Sequence, residues 1–175
     1  MQLADFFDYK NQLMKDIVTN REIVRLIDAD GINMSNSTEL AYTHVFPCEY
    51  VPETVQDGNT FICFDVDVQR GTDKTFLNPI LYVWVFTHRS KLRLPEGGVR
   101  TDKLCNEICK AIDGSREYGL GELNLYSCRR FAPMTDFQGK VLTFEAKEFK
   151  RVHDYNPKIP TNRKQVVHEH NHEHH

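Results

Sequence analysis

The sequence predicts an α+β protein: a mostly antiparallel β-sheet with a central apolar strand, packed by an amphipathic helix and preceded by N-terminal helices. Three segments carry this prediction. Residues 60–69 (TFICFDVDVQ) alternate apolar and polar side chains, which is typical of a strand with one buried face. Residues 80–86 (ILYVWVF) are apolar throughout, as in a central strand covered on both faces. Between residues 101 and 112 apolar side chains return at helical spacing.

Two helices are predicted at the N-terminus. Apolar residues recur three, four and seven apart over residues 3–18, which predicts an amphipathic first helix. After a break at Thr19, that residue and Glu22 match a capping box for a short second helix. The second helix is expected to end near the Asp-Gly pair at residue 30.

A polar loop over residues 30–40 leads into a β-prone segment, residues 41–53. This segment contains Pro47 and Pro52, which cannot donate a backbone N–H to a sheet. We therefore expect an edge strand or an extended arm, which could pair with another subunit.

The alternating and the apolar strands are expected to form a hairpin joined through residues 71–79. The loop that follows, His88–Arg100 (HRSKLRLPEGGVR), opposes four cations to the single acid Glu96. Those cations are Arg89, Lys91, Arg93 and Arg100. We expect this loop to form a basic surface.

Thr101 or Asp102 is expected to cap the next helix, and Gly114 to end it. The apolar side of that helix is expected to cover the sheet. Residues 123–128 and 140–149 are then predicted to form an antiparallel pair of strands.

Composition indicates one soluble domain. The chain has 175 residues, 27% of them charged, and a formal net charge of -3, which is too small for bulk attraction to nucleic acid or acidic lipid. We assign residues 1–152 to the domain and 153–175 to a polar, histidine-rich tail. Five cysteines without paired CxxC spacing favour a reducing compartment, and no apolar run is long enough for a secretory signal or a membrane span.

Two groups of possible metal ligands have simpler explanations. The terminal histidines could bind a transition metal, but a solvated tail is favoured because no preorganised second shell is implied. They are His168, His170, His172, His174 and His175. Cys105 and Cys109 share a helix face and with His88 could form a metal or redox site, but core packing beside Leu104 and Ile108 is favoured. We expect no cofactor.

A small Mg²⁺-dependent nuclease is an alternative function. Asp65 on one strand, with Glu145 and Lys147 on a later one, resembles the carboxylates that hold Mg²⁺ and the lysine that helps to activate water. Charge alternation on an exposed strand produces the same triplet, so we expect no enzyme. A monomeric adaptor or regulatory domain is a third reading.

The order of segments resembles the tail terminator, or tail completion, proteins of tailed bacteriophages, which lie at the neck between head and tail. The resemblance covers about residues 1–151 and rests on an N-terminal helix followed by matching segments. These are THVFPCEYVP, FICFDVDVQ, ILYVWVFTH, TDKLCNEICKAI and GKVLTFEAKEF.

The resemblance implies a non-enzymatic subunit of a ring, usually a hexamer, that caps the tail tube, stops its polymerisation and joins the tail to the head connector. The implied partners are further copies of the chain, the tail tube protein and the head connector or head-completion proteins. DNA would pass through the lumen without sequence-specific binding, and no membrane is involved. The implied location is the virion, with the host cytoplasm during assembly.

The charge pattern adds a prediction about contacts. Asp65 and Asp67 on the strand face of one subunit are expected to meet the basic loop of the next, at Arg89, Lys91 and Arg93, with Arg100 nearby. Alternatively, the same cations face the lumen or a partner ring.

Overall fold

The computed structural model describes residues 5–51, 58–70, 77–118 and 121–146. Within these ranges three α-helices accompany one five-stranded sheet, so the predicted α+β class is confirmed. The helices are α1 (Asp5–Thr19), α2 (Arg21–Ile27) and α3 (Arg100–Ile112). The strands are β1 (Val45–Phe46), β2 (Thr60–Arg70), β3 (Leu77–His88), β4 (Leu123–Phe131) and β5 (Phe137–Ala146). The predicted tail, residues 153–175 with its histidines, lies outside the described residues, as does Lys147.

The sheet has the order β1-β2-β3-β5-β4, which places the apolar strand β3 in the middle as predicted. Two antiparallel hairpins, β2–β3 and β4–β5, meet where β3 pairs with β5. Only β1 runs parallel to its neighbour, pairing Val45 with Ile62 and Phe46 with Cys63. The edge strand predicted within residues 41–53 is therefore present, but it is two residues long and pairs with its own chain.

All three helices pack on one face of the sheet. The main core forms there because β2, β3 and β5 present their apolar alternate residues to the apolar sides of the helices. From the strands come Ile62, Phe64, Leu81, Val83, Val85, Leu142 and Phe144, and from the helices Leu13, Ile17, Leu26, Leu104 and Ile108. Each fully buried side chain of this size contributes about 1.5–3 kcal/mol.

The opposite face of β2 is not uniformly wet, so the prediction of a single buried face is wrong for the first half of the strand. Phe61 and Cys63 are buried in a second cluster with Phe86 and Phe137. Aromatic residues before β2 and around the β4–β5 turn pack against this cluster, and local alternation could not reveal those distant contributions. The second half of β2 leaves the core, and Val68, predicted to be buried, is 37% exposed.

The central strand is also less covered than predicted. On the face away from the helices, Tyr82 and Trp84 stack with ring centroids 5.7 Å apart, and both remain only half-buried. They line a shallow groove that continues onto β4 and β5. The second face of the sheet is thus closed at the Phe86 end and open toward the other end.

Two helix starts differ from prediction. The side chain of Asn20, not Thr19, caps α2, because its oxygen accepts hydrogen bonds from the backbone N–H groups of Glu22 (3.1 Å) and Ile23 (3.2 Å). The Thr19 hydroxyl instead donates back to the Lys15 carbonyl at 2.8 Å. The sequence prediction therefore placed the cap of α2 one residue too early.

The third helix begins at Arg100, before both predicted caps, Thr101 and Asp102. Val99 occupies the capping position and makes no side-chain cap hydrogen bond. Thr101 is buried, and Asp102 forms an ion pair with Lys140 at 2.8 Å. At the other end Gly114 follows the helix with φ of +77°, as its sequence position predicted.

Candidate functional site

Arg100 is not part of a basic surface, which corrects one predicted contact residue. Its side chain is buried, and its guanidinium donates to the carbonyls of Leu26 (2.8 Å) and Lys91 (2.7 Å). It also forms an ion pair with Asp28 at 3.1 Å. Arg100 therefore fastens the loop 88–100 to the end of α2.

The other cations of this loop differ in how many contacts they make within the protein. Lys91 Nζ donates to the Asp28 carbonyl at 2.9 Å and lies 3.6 Å from Asp30. Arg89 pairs with Asp136 at 3.1 Å but remains largely exposed. Arg93 is exposed and has no ion-pair partner in the described part of the chain. Arg93 and, in part, Arg89 are the cations of this loop that face outward.

The negative charge of the loop's single acid is already balanced by nearby cations. Glu96 accepts a hydrogen bond from Lys103 at 2.9 Å and lies 3.5 Å from Arg25. The hydrogen bond from Lys103 is the largest cause that lowers the pKa of this carboxyl to about 2. The positive charge at Arg93 is therefore not offset by Glu96.

The two predicted acidic residues on β2 have different environments. The Asp65 carboxylate forms an ion pair with Lys10 Nζ (2.7 Å) and accepts a hydrogen bond from the backbone N–H of Val66 (2.8 Å). Asp67 is exposed and has no salt bridge to any residue in the described ranges. Asp67 is thus the residue of this pair that is available to a partner.

The two described carboxylates of the predicted nuclease triplet, Asp65 and Glu145, do not converge. Asp65 lies beside Tyr82 and Thr143 in the sheet register, whereas Glu145 lies beside Ile80. With β3 between them, the two carboxylates are anchored about 10 Å apart across the sheet and on different rows. The described residues contain no group of three or more His, Cys, Asp or Glu side chains that could hold a metal ion.

The cysteine and histidine group is also separate. His88 Nδ1 lies 2.7 Å from the Ser90 hydroxyl, and the ring packs edge-on against Phe137. Cys105 is buried in the main core with Cys109 packed at its border, as core packing predicts. Burial raises the pKa of the Cys105 thiol to about 12, which makes it a poor ligand and nucleophile.

A second basic site was missed by sequence reasoning. The strand predicted to end at Cys128 continues to Phe131, and this extension carries Arg129 and Arg130. Both are exposed; Arg130 reaches Gln138 at 3.4 Å, and neither has a carboxylate partner among the described residues. The adjacent arginines were a usable signal, but their place on an edge strand depends on the pairing with β5.

The sheet therefore has oppositely charged margins. Asp67 lies on β2, near one edge, and Arg129 lies on β4, which forms the other edge. Both side chains project from the face opposite the helices. In the sheet register, Asp67 aligns with Ile80 and Glu145, whereas Arg129 aligns with Val141 and Trp84. The groove lined by Tyr82 and Trp84 lies between them.

A family model described as YomW matches residues 20–146. The chain belongs to the YomW family. This family is phage-related, which agrees with the coarser part of the resemblance seen in the sequence. None of the curated proteins compared with this chain matches it.

One chain of a solved structure titled "Virion of native gene transfer agent (GTA) particle" is similar to this YomW family member with a TM-score of 0.40 and 19% sequence identity. The similarity covers 70% of this chain and 88% of that chain.

The YomW match spans the parts of the chain that carry the candidate site. Residues 20–146 include α2, α3 and all five strands, and therefore both charged margins and the loop 88–100. None of the helices in the described ranges has the length and apolar character that crossing a membrane would require.

Proposed function

We propose that the chain is a non-enzymatic structural protein of a phage virion, a subunit of a neck ring that ends the tail tube and joins it to the head connector. One observation carries the ring: a single sheet bears the acid Asp67 near one edge and Arg129 and Arg130 at the other, and none of the three has an ion-pair partner within the described ranges. A subunit with complementary opposite sides suits head-to-tail contacts, which form a ring when the rotation between neighbouring subunits closes. Membership of a phage-related family and the order of segments support the neck assignment.

The proposal gives the loop 88–100 a separate role. Arg93, together with the exposed part of Arg89, lies where β3 ends, away from the margin at Asp67. These cations suit an acidic surface on the next component of the neck, or the phosphates of DNA passing through the lumen without sequence recognition. Subunit contacts and partner contacts would then use different surfaces.

The first experiment measures the assembly state of the purified protein by light scattering and negative-stain imaging. We expect closed rings, with a mass close to six subunits, either alone or after addition of the tail tube protein. A monomer that persists at high concentration and in the presence of that partner would overturn the ring and favour an adaptor domain.

The second experiment concerns joining. Reversing the charge of all three cations predicted from the sequence, Arg89, Lys91 and Arg93, also breaks internal contacts, so Arg93→Glu alone is the cleaner variant. We expect Arg93→Glu to form rings but to reduce the yield of infectious particles in a complementation assay. The matched control is Arg21→Glu, an exposed arginine on α2. Equal yields for the two variants would argue against a partner contact at the loop.

A further inference from the structure

The outer edge of β2 is partly free. The Ile62 N–H donates to the His44 carbonyl at 2.9 Å, so the backbone groups of Ile62 point away from β3. Alternate residues of a strand point the same way, which directs those of Val66 and Val68 outward as well. The N–H of Val66 is taken by the Asp65 carboxylate. Beyond that point β2 has no strand beside it within the described residues.

At the start of β4, the backbone N–H groups on the outer edge already have hydrogen-bond acceptors. The N–H of Leu123 donates to the Ser115 carbonyl at 3.0 Å, and that of Leu125 donates to the Asp113 carboxylate at 2.7 Å. The turn after α3 therefore covers this half of the edge.

The second half of β4 is open. Leu123 and Leu125 pair with Ala146 and Phe144, and the irregularity that follows shifts the alternation by one residue. On β5, residues 142 and 140 continue the alternate series that begins with Ala146 and Phe144. These two residues pair with Cys128 and Arg130. The backbone groups of these two β4 residues consequently point outward, with no strand beyond them in the described part of the chain.

Charge decides which edges can meet. Pairing β4 with a second β4 would bring together Arg129 and Arg130 of both copies, and pairing β2 with a second β2 would oppose two Asp67 side chains. Like charges directly opposite each other destabilise strand pairs, whereas opposite charges stabilise them. Only the unlike pairing, β4 against β2, is favourable.

We propose that neighbouring copies join by sheet extension, with the second half of β4 of one copy adding to the outer edge of β2 of the next. This inference rests on the proposed ring. Each successive pairing from β2 to β4 within the sheet is antiparallel, so β4 runs opposite to β2 and a repeated sheet would place them antiparallel. Such strand addition supplies backbone hydrogen bonds, while Asp67 and Arg129 supply specificity on a shared face.

The geometry also sets the form of the ring. The free stretch of β4 lies at the end of the sheet near Phe131 and Gly139, and that of β2 lies toward the other end, past the residues paired with β1. The contact is therefore staggered along the strands. A staggered repeat closes only when the strands tilt relative to the ring axis, as they do in closed barrels.

Exposed apolar side chains mark the same two edges. Val68 is 37% exposed on β2, and Tyr126 is 66% exposed at the irregularity of β4. Burial of such side chains would add an apolar contribution to the charged and backbone contacts.

Charge exchange tests the pairing. Asp67→Arg and Arg129→Asp should each raise the protein concentration at which half of the chains form rings by at least about tenfold. The reason is that the cross-strand attraction becomes repulsion. Combining both substitutions in one chain should restore rings. Matched controls are Asp30→Arg and Arg21→Asp, which change exposed residues on or just after α2, away from both edges, and should assemble normally.

A backbone test leaves the charges unchanged. Cys128→Pro removes an outward N–H, which an edge strand tolerates, so the fold should persist by circular dichroism while ring formation is lost. Amide hydrogen exchange of the wild-type protein supplies a readout that needs no variant. Peptides that cover residues 64–69 and 127–131 should become protected on assembly.

The outcomes separate this interface from the ring itself. If both single charge variants form rings as the wild type does, and assembly of the wild type brings no new exchange protection at residues 64–69 and 127–131, the interface is overturned and the ring proposal stands. A wild-type protein that never assembles, alone or with the tail tube protein, would overturn both. Loss in each single variant and recovery in the double variant would establish the pairing.

Discussion

Gly139 occupies a position in β5 where no other side chain fits. A Cβ atom there would overlap the Val85 carbonyl oxygen and lie 2.6 Å from the Phe86 Cβ. Backbone of the central strand cannot move away without disturbing the paired sheet. The close approach of β3 and β5 therefore requires glycine at this residue.

Gly139→Ala should lower the free energy of unfolding by about 1–3 kcal/mol or more, because overpacking displaces β3. Chemical denaturation measures the change. Thr143→Ala, on the same strand and face, is the matched control and should cost about 1 kcal/mol or less. Equal effects of the two substitutions would contradict the close approach.

Arg93 and Arg100 look alike in the sequence but differ in what they do. Both belong to the basic run that predicted a surface, yet Arg100 is buried against α2 and only Arg93 faces solvent. Sequence charge alone cannot separate them, because burial of Arg100 depends on the carbonyl of Leu26, 74 residues away. The alternation of β2 did correctly place Asp67 on the surface.

Arg100→Ala should cost about 2–4 kcal/mol, since it leaves buried carbonyls without their donor. Arg93→Ala should change stability by no more than about 0.5 kcal/mol, as expected of an exposed side chain. Thermal denaturation of both variants checks the difference. A stability loss at Arg93 as large as at Arg100 would show that the loop is held in another way.

At the level of elements, the hairpins and helices were predictable because each has its own local period. Strands β2 and β3 have period-two or continuous apolar patterns, and α1 and α3 have helical spacing. The second buried cluster was not predictable, since it forms when the Phe46 region and the turn after Phe131 reach the same face. The predicted cap was off by one residue for α2 and by two or three for α3, where several side chains could cap.

The cap of α2 gives an element-scale prediction. Asn20→Ala should destabilise the protein by about 1 kcal/mol, because two backbone N–H groups lose their acceptor. Thr19→Ala should cost less than about 0.5 kcal/mol, since its hydroxyl makes only an exposed contact at the end of α1. Urea unfolding of the two variants distinguishes them. The reverse order would restore the capping box suggested by the sequence.

Across the whole molecule, the sheet separates a continuous core on one face from a half-open face on the other. The cysteines report this division. Cys48 and Cys128 are exposed, while Cys63 and Cys105 are buried on opposite faces. Burial raises the pKa of each of the two buried thiols to about 12.

Iodoacetamide at pH 8 should therefore modify Cys48 and Cys128 first. At equal access, a pKa near 12 instead of 9 leaves roughly a thousandfold less reactive thiolate, and burial slows Cys63 and Cys105 further. Mass spectrometry of the modified peptides gives the order, and denaturant should make all five react. Early labelling of Cys63 would show that the second cluster opens in solution. In assembled rings, Cys128 should become protected if the proposed strand addition is correct.

The meeting of two hairpins at β3 and β5 has a consequence for how the chain reaches its native state. Within each hairpin, contacts join residues that are close in sequence, but the seam pairs Val83 with Leu142, across the whole of α3 and β4. Closing such a long loop is entropically costly and slow relative to forming either hairpin. The seam therefore carries strand contacts of large sequence separation, and we expect its closure, rather than the formation of either hairpin, to set the folding rate.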